Sequence, residues 1–114
     1  MKKLLLLLLL PLSVLADDFD GSFTAPTERT DNTSLSIDQI DGYIVYVNGV
    51  EQPGLIPASE TTFVVTITES GDHDINIRTI DSDGRPSPMS NTITRSVSAS
   101  PKAPVLLEIN LRLN

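Results

Sequence analysis

The chain has 114 residues, 39% hydrophobic and 20% charged, with no cysteine, no tryptophan, one histidine and a formal net charge of −7. That length holds one domain and no more. Without cysteine there is no disulfide framework, thiolate zinc site, iron–sulfur cluster or cysteine nucleophile, and a single histidine leaves little for general-base or transition-metal chemistry. The expectation is a non-enzymatic protein with no cofactor, no catalytic residues and no metal site.

Residues 1–16 have the layout of a cleavable export signal. Met1, Lys2 and Lys3 give a positive start, Leu4 to Leu10 an apolar run too short for a stable anchor, and Val14-Leu15-Ala16 the small-x-small spacing that signal peptidase accepts. Asp17, Asp18 and Asp20 follow at once, which suits cleavage after Ala16. The product is expected to be secreted or periplasmic. Losing Lys2 and Lys3 leaves six basic against fifteen acidic residues, a surface that repels phosphate backbones and anionic headgroups. Nucleic acid and membrane surfaces are therefore poor partners after cleavage, and a protein partner or self-association is expected.

Beyond the leader, apolar residues follow a period of two and are interrupted by turn residues at the spacing of an all-β domain. Phe19, Gly21 and Phe23 share one face of a first strand that Pro26 ends, and Thr27 to Ser36 is a polar loop. Tyr43, Val45 and Val47 alternate with Ile44 and Tyr46, and Asn48-Gly49 supplies the two left-handed positions of a tight hairpin. Pro53-Gly54 and Pro57 restrict the return segment to a short or edge strand. Phe63, Val65 and Ile67 form the next inward face, Ser70-Gly71 turns the chain, and Ile75, Ile77 and Thr79 form another. Asp81-Ser82-Asp83-Gly84 with Pro86 and Pro88 makes a stiff loop before the pattern resumes over Thr92–Val97. No helical periodicity appears outside the leader, which favours a two-sheet sandwich.

Five stretches in order resemble a bacterial fibronectin type III domain over roughly residues 18–97: Ser22–Pro26, Ile40–Tyr46, Phe63–Val65, Gly71 through Asp81–Arg85, and Ser90-Asn91. The resemblance implies an immunoglobulin-like β-sandwich. It places Phe23 at the core tryptophan of strand B, Tyr43 at the core tyrosine of strand C, and His73 where a tyrosine normally ties the corner before strand F. His73 is expected to hold that corner by donating from its ring to a backbone carbonyl, with a pH-sensitive role beside Asp72 and Asp74 as the rival. Gly21 stands where a large apolar residue belongs, so a gap in the core is expected there.

By the same resemblance, Asp83, Gly84, Arg85 and Pro86 lie on the F–G loop that such domains use for protein contacts, and they are the candidate binding residues. Tyr46 joins them as the one aromatic not assigned to the core and the only platform for a glycan. Asp81–Gly84 resembles half of a calcium loop, but the distal ligands of an EF-hand are missing, so calcium is not expected.

The C-terminus is the most informative segment. Residues 98–104, Ser-Ala-Ser-Pro-Lys-Ala-Pro, read as an extended linker. After them Val105, Leu107, Ile109, Leu111 and Leu113 alternate with Leu106, Glu108, Asn110 and Arg112 over residues 105–114. The domain at 17–97 enters directly on strand B, without a strand A. The amphipathic segment is expected to supply that strand by complementation, within its own chain first and by exchange with a neighbour at high concentration. The function expected is a secreted structural or protein-interaction module of an extracellular or virion assembly. The alternative is a stand-alone module that binds a glycan or surface protein through the F–G loop.

Overall fold

Asp20 and Ser22 separate Phe19, Gly21 and Phe23 from one another, and the chain is extended over Asp17–Ser22 as the alternation requires. The computed structural model describes residues 16–113, so the proposed signal peptide lies outside the described residues except for Ala16. Seven strands follow: β1 (Asp17–Ser22), β2 (Ile40–Val47), β3 (Val50–Glu51), β4 (Ile56–Pro57), β5 (Thr62–Ile67), β6 (Gly71–Asp81) and β7 (Ile93–Val97). They form an all-β sandwich of two antiparallel sheets. One sheet contains β1 and β5 alone; the other runs β3-β2-β6-β7, with β4 also on β2.

The turns form where sequence chemistry places them. Asn48 (φ 52°) and Gly49 (φ 80°) are both left-handed, as a two-residue hairpin between β2 and β3 demands. Asn48 also reaches across to β6: its Oδ1 accepts the Asp74 N–H at 2.9 Å and its Nδ2 lies 2.9 Å from His73 Nδ1. The prolines and Gly54 limit β3 and β4 to two residues each.

Tyr43 anchors the core. It is 1% exposed, packs edge-on against Phe23 with ring centroids 4.5 Å apart, and donates its hydroxyl to the Ala58 carbonyl at 3.3 Å. A register shift between Ile40 and Gly42 in the β2–β6 ladder turns Ile40 to the same side as Tyr43, three residues on. The second cluster joins Val65, Ile67 and Val97, with Phe19, Phe63 and Ile75 against it.

Three expectations are corrected. The gap at Gly21 does not exist: Phe63, its partner across the β1–β5 ladder, lays its ring where the Cβ would be. A cross-strand aromatic thus fills the glycine's place from its own chain. The loop at 27–36 is less plain than its composition, since Glu28 bridges Ser34, Leu35 is buried in the Tyr43 cluster, and a 3-10 turn follows at Ile37–Gln39. Tyr46 is not an exposed platform; it is 8% exposed, beneath the Arg78 guanidinium, which sits 5.3 Å from its ring centroid.

His73 is buried and holds the corner as expected. Its Nε2 donates to the Glu69 carbonyl at 2.8 Å, so Nδ1 is the acceptor for Asn48 Nδ2. Asp72 and Asp74 point away on the other face, where they accept from the hydroxyls of Ser96 and Thr94 on β7.

Replacing Tyr43 by Ala should cost about 3–5 kcal/mol as for other buried aromatics. Gly21→Val should cost about 1–3 kcal/mol by driving Phe63 out of its place. Urea unfolding midpoints measure both, and a Gly21→Val protein as stable as the parent would show that the Phe63 ring does not depend on that glycine.

Candidate interaction site

The residues singled out from sequence fall in three places. Asp83, Gly84, Arg85 and Pro86 are on the loop after β6, Tyr46 is under Arg78 on the outer face of the larger sheet, and Val105 to Leu113 lies beyond both sheets.

The loop is organised by one carboxylate, Asp81, at the end of β6 and only 5% exposed. Its Oδ1 accepts the backbone N–H groups of Asp83 at 3.0 Å and Arg85 at 2.7 Å. Its Oδ2 accepts Arg29 Nη1 at 3.0 Å and Arg85 Nε at 3.1 Å. The backbone of Asp81 closes the same turn, with its N–H on the Arg85 carbonyl and its carbonyl on the Gly84 N–H, both at 2.9 Å. Gly84 takes φ 84° to allow that closure. The hydrogen bonds from the Arg85 N–H and the Arg29 guanidinium hold the Asp81 carboxyl far below the ordinary carboxylate range.

Arg85 is the exposed arginine that the sequence suggested, but it is not a loose one. Besides Asp81 it binds Asp83 Oδ2 at 2.8 Å. Pro86 bridges back to Ile80, and with Arg29, Leu35 and Thr79 it borders a shallow groove of about 370 Å³. The loop is therefore a rigid, well-tied knuckle whose charged groups largely satisfy one another. Arg29 is the functional neighbour that sequence reasoning missed, because it is 52 residues from Asp81 and no local pattern marks it.

A second groove, of about 530 Å³, lies where the smaller sheet stops short of the larger one. Phe23 and Phe63 form one wall, Ser90 and Ile93 the other, with Ile75 and Ile77 of β6 between them. Polar residues, among them Ser22, Thr24 and Asn91, share the rim with these apolar ones, and the side chains of Phe23, Phe63, Ile75 and Ile77 are only partly covered. Ile93 faces the same interior as its ladder partner Ile75, yet is 47% exposed.

Val105, Leu107, Ile109, Leu111 and Leu113 do not complete the sandwich within this chain. Residues 98–113 belong to neither sheet, and the five aliphatic side chains are 80–88% exposed. The physical reason is the linker: Pro101 and Pro104 fix two backbone φ angles and favour extension, which carries the apolar segment away from its own β1 edge.

Among the described residues no group of three or more histidine or acidic side chains is placed to hold a metal ion, and no helix is long and apolar enough to cross a membrane. No family model, curated protein or solved structure matches the chain.

Asp81→Asn should lower the melting temperature at pH 7 more than Arg29→Ala or Arg85→Ala, since it disturbs all four hydrogen bonds at once. The pH dependence follows from the lowered folded-state pKa: the stabilisation is present above the unfolded value of about 3.9 and is lost as the pH falls toward the folded value. Melting followed by circular dichroism between pH 7 and pH 2.5 should show the Asn protein losing less on acidification than the parent. Parallel curves would remove Asp81 from that role.

Proposed function

We propose that this is a secreted, non-enzymatic protein-interaction module of the fibronectin type III kind, a component of an extracellular or virion assembly in which residues 105–113 act as a complementing strand. The observation that carries the reading is the alternating aliphatic row at 105–113, held in water beside a sandwich with an unfinished sheet. Side chains of that size each lose about 1.5–3 kcal/mol of burial when left exposed, and their alternation has no use in a solvated tail.

The strand pairing is what supports the family assignment. In immunoglobulin-like sandwiches strands B and E share one sheet with A, while C, F and G form the other. Here β1 pairs β5, and β2, β6 and β7 pair in sequence, so β1 takes the place of B and the position of A has no occupant among the described residues. Export is supported by the Lys-Lys-polyleucine start and Val14-Leu15-Ala16, and it also places the new N-terminus at Asp17, the first residue of β1.

The stand-alone binding reading through the F–G loop draws on Arg85 and Pro86 alone, because Tyr46 is covered. It is the weaker of the two, since Arg85 would have to leave two carboxylates to meet a ligand.

Two measurements test the proposal. The intact mass of exported protein should correspond to a chain beginning at Asp17; retention of Met1 would overturn the export reading. Truncation after Ser100 should abolish concentration-dependent oligomers in sedimentation velocity. Unchanged self-association after truncation would remove the C-terminal segment from the assembly.

A further inference from the structure

We propose that the acceptor for residues 105–113 is the outer edge of β1 in a second copy of this chain, entered antiparallel, so that the aliphatic row of the donor closes the groove between Phe23 and Ile93. This rests on the donor-strand reading above and adds the place, the polarity and the source of the strand.

The place follows from backbone direction. The Phe23 N–H donates to the Thr61 carbonyl at 3.0 Å, toward β5. Peptide groups alternate sides along a strand, so Phe19 and Gly21 also face β5, while Asp18, Asp20 and Ser22 present their N–H and carbonyl groups to the opposite edge. That edge has no partner strand among the described residues. A strand laid there carries every second side chain into the space above Ile75, Ile77 and Ile93, where the groove of about 530 Å³ stands open. Arg95, in the same inward row of β7, is exposed and can lay its stem along the incoming strand while its charge stays in water.

The polarity follows from charge. Asp18 and Asp20 point outward from β1 on the face opposite Phe19 and Gly21. With Leu111, Ile109 and Leu107 beside Phe19, Gly21 and Phe23, an antiparallel donor sets Arg112 opposite Asp18, Asn110 opposite Asp20 and Glu108 opposite Ser22. A parallel donor with residues 108–112 over the same stretch of β1, residues 18–22, sets Glu108 against Asp18 and leaves Arg112 facing Ser22. Opposite charges across a ladder stabilise it and like charges oppose it. The wider balance points the same way, because residues 98–114 carry two basic groups and one acidic, against four basic and fourteen acidic in 17–97.

The source follows from chain length. Asp17 and the segment Val97–Ser100 border one small cavity, so the tail leaves the domain at the N-terminal end of β1. An antiparallel strand must enter at the other end, with Val105 beside Ala25, about eight residues or 26 Å further along. Reversing direction takes two residues. The remaining five of the linker reach no more than about 18 Å. The chain cannot fill its own acceptor in this polarity, whereas a neighbour's tail enters without strain. The contact is head-to-tail and, repeated, builds an open filament.

The absence of native cysteine makes the pairing directly testable. Exported Asp18→Cys protein is mixed with exported Arg112→Cys protein under mild oxidation, and the products are separated by mass. The expected result is a mixed disulfide dimer in several-fold excess over either homodimer, with little linkage between Asp18→Cys and Glu108→Cys chains. Preferential linkage through Glu108→Cys would overturn the polarity. An intrachain disulfide in a doubly substituted Asp18→Cys/Arg112→Cys protein at high dilution would overturn the second copy as the source. If neither pair links while truncation after Ser100 still abolishes oligomers, the β1 edge is the wrong acceptor and the donor reading stands; if oligomers survive truncation, the donor reading falls with it.

Discussion

A two-stranded sheet has to cover the inner face of a sheet built from five strands, and most of what is unusual in this protein follows from that mismatch. The β1–β5 pair reaches far enough to bury Tyr43 and to gather Val65, Ile67 and Val97, but leaves Ile75, Ile77 and Ile93 partly open. Burial per residue in a domain this small is limited in any case. The chain responds by recruiting side chains from outside the strands: Leu35 from the loop after β1 joins the Tyr43 cluster, and Phe63 fills the place over Gly21. Neither closes the side on which a third strand would lie.

The opposite design governs the loop between β6 and β7. There a single carboxylate satisfies two backbone N–H groups and two guanidinium groups, so a turn with few apolar contacts is held by charge-assisted hydrogen bonds. Because Arg29 comes from the loop after β1, Asp81 ties the two sheets together at the end away from the Val65–Val97 cluster. The Arg85 and Asp83 side chains at the tip serve the same turn, which makes the loop a support for the groove walls through Pro86 and Pro88 more than a free recognition surface.

An open groove and an exposed amphipathic segment in one chain have a simple thermodynamic relation. Each leaves apolar surface in water, and the proposed exchange of a strand between copies would bury both at once and give the free edge of β1 a ladder partner. In the proposed exchange, repulsion between acidic domains would oppose indiscriminate edge-to-edge pairing, and the slightly basic tail would be the segment best able to approach one.

Much of this was legible in the sequence, because its causes are local. Period-two alternation, Asn48-Gly49, the prolines flanking Leu55-Ile56 and the corner histidine at position 73 each act through neighbouring backbone, and the strands, the hairpin and the His73–Glu69 tie stand where those residues placed them. The alternation at 105–113 marked an amphipathic segment, and the structure leaves it outside both sheets with its aliphatic row exposed. What tertiary structure alone decided involves residues distant in the chain. Tyr46 looked exposed by alternation and is covered because Arg78, on the neighbouring strand, lays its guanidinium over the ring. Gly21 looked like a hole and is filled because the β1–β5 register brings Phe63 opposite it. Asp81 read as the first residue of a stiff turn and is buried because Arg29, 52 residues earlier, is folded onto it. A side chain's local pattern sets which face it occupies; whether that face is covered depends on which strand the topology lays beside it, and that pairing is a property of the whole fold.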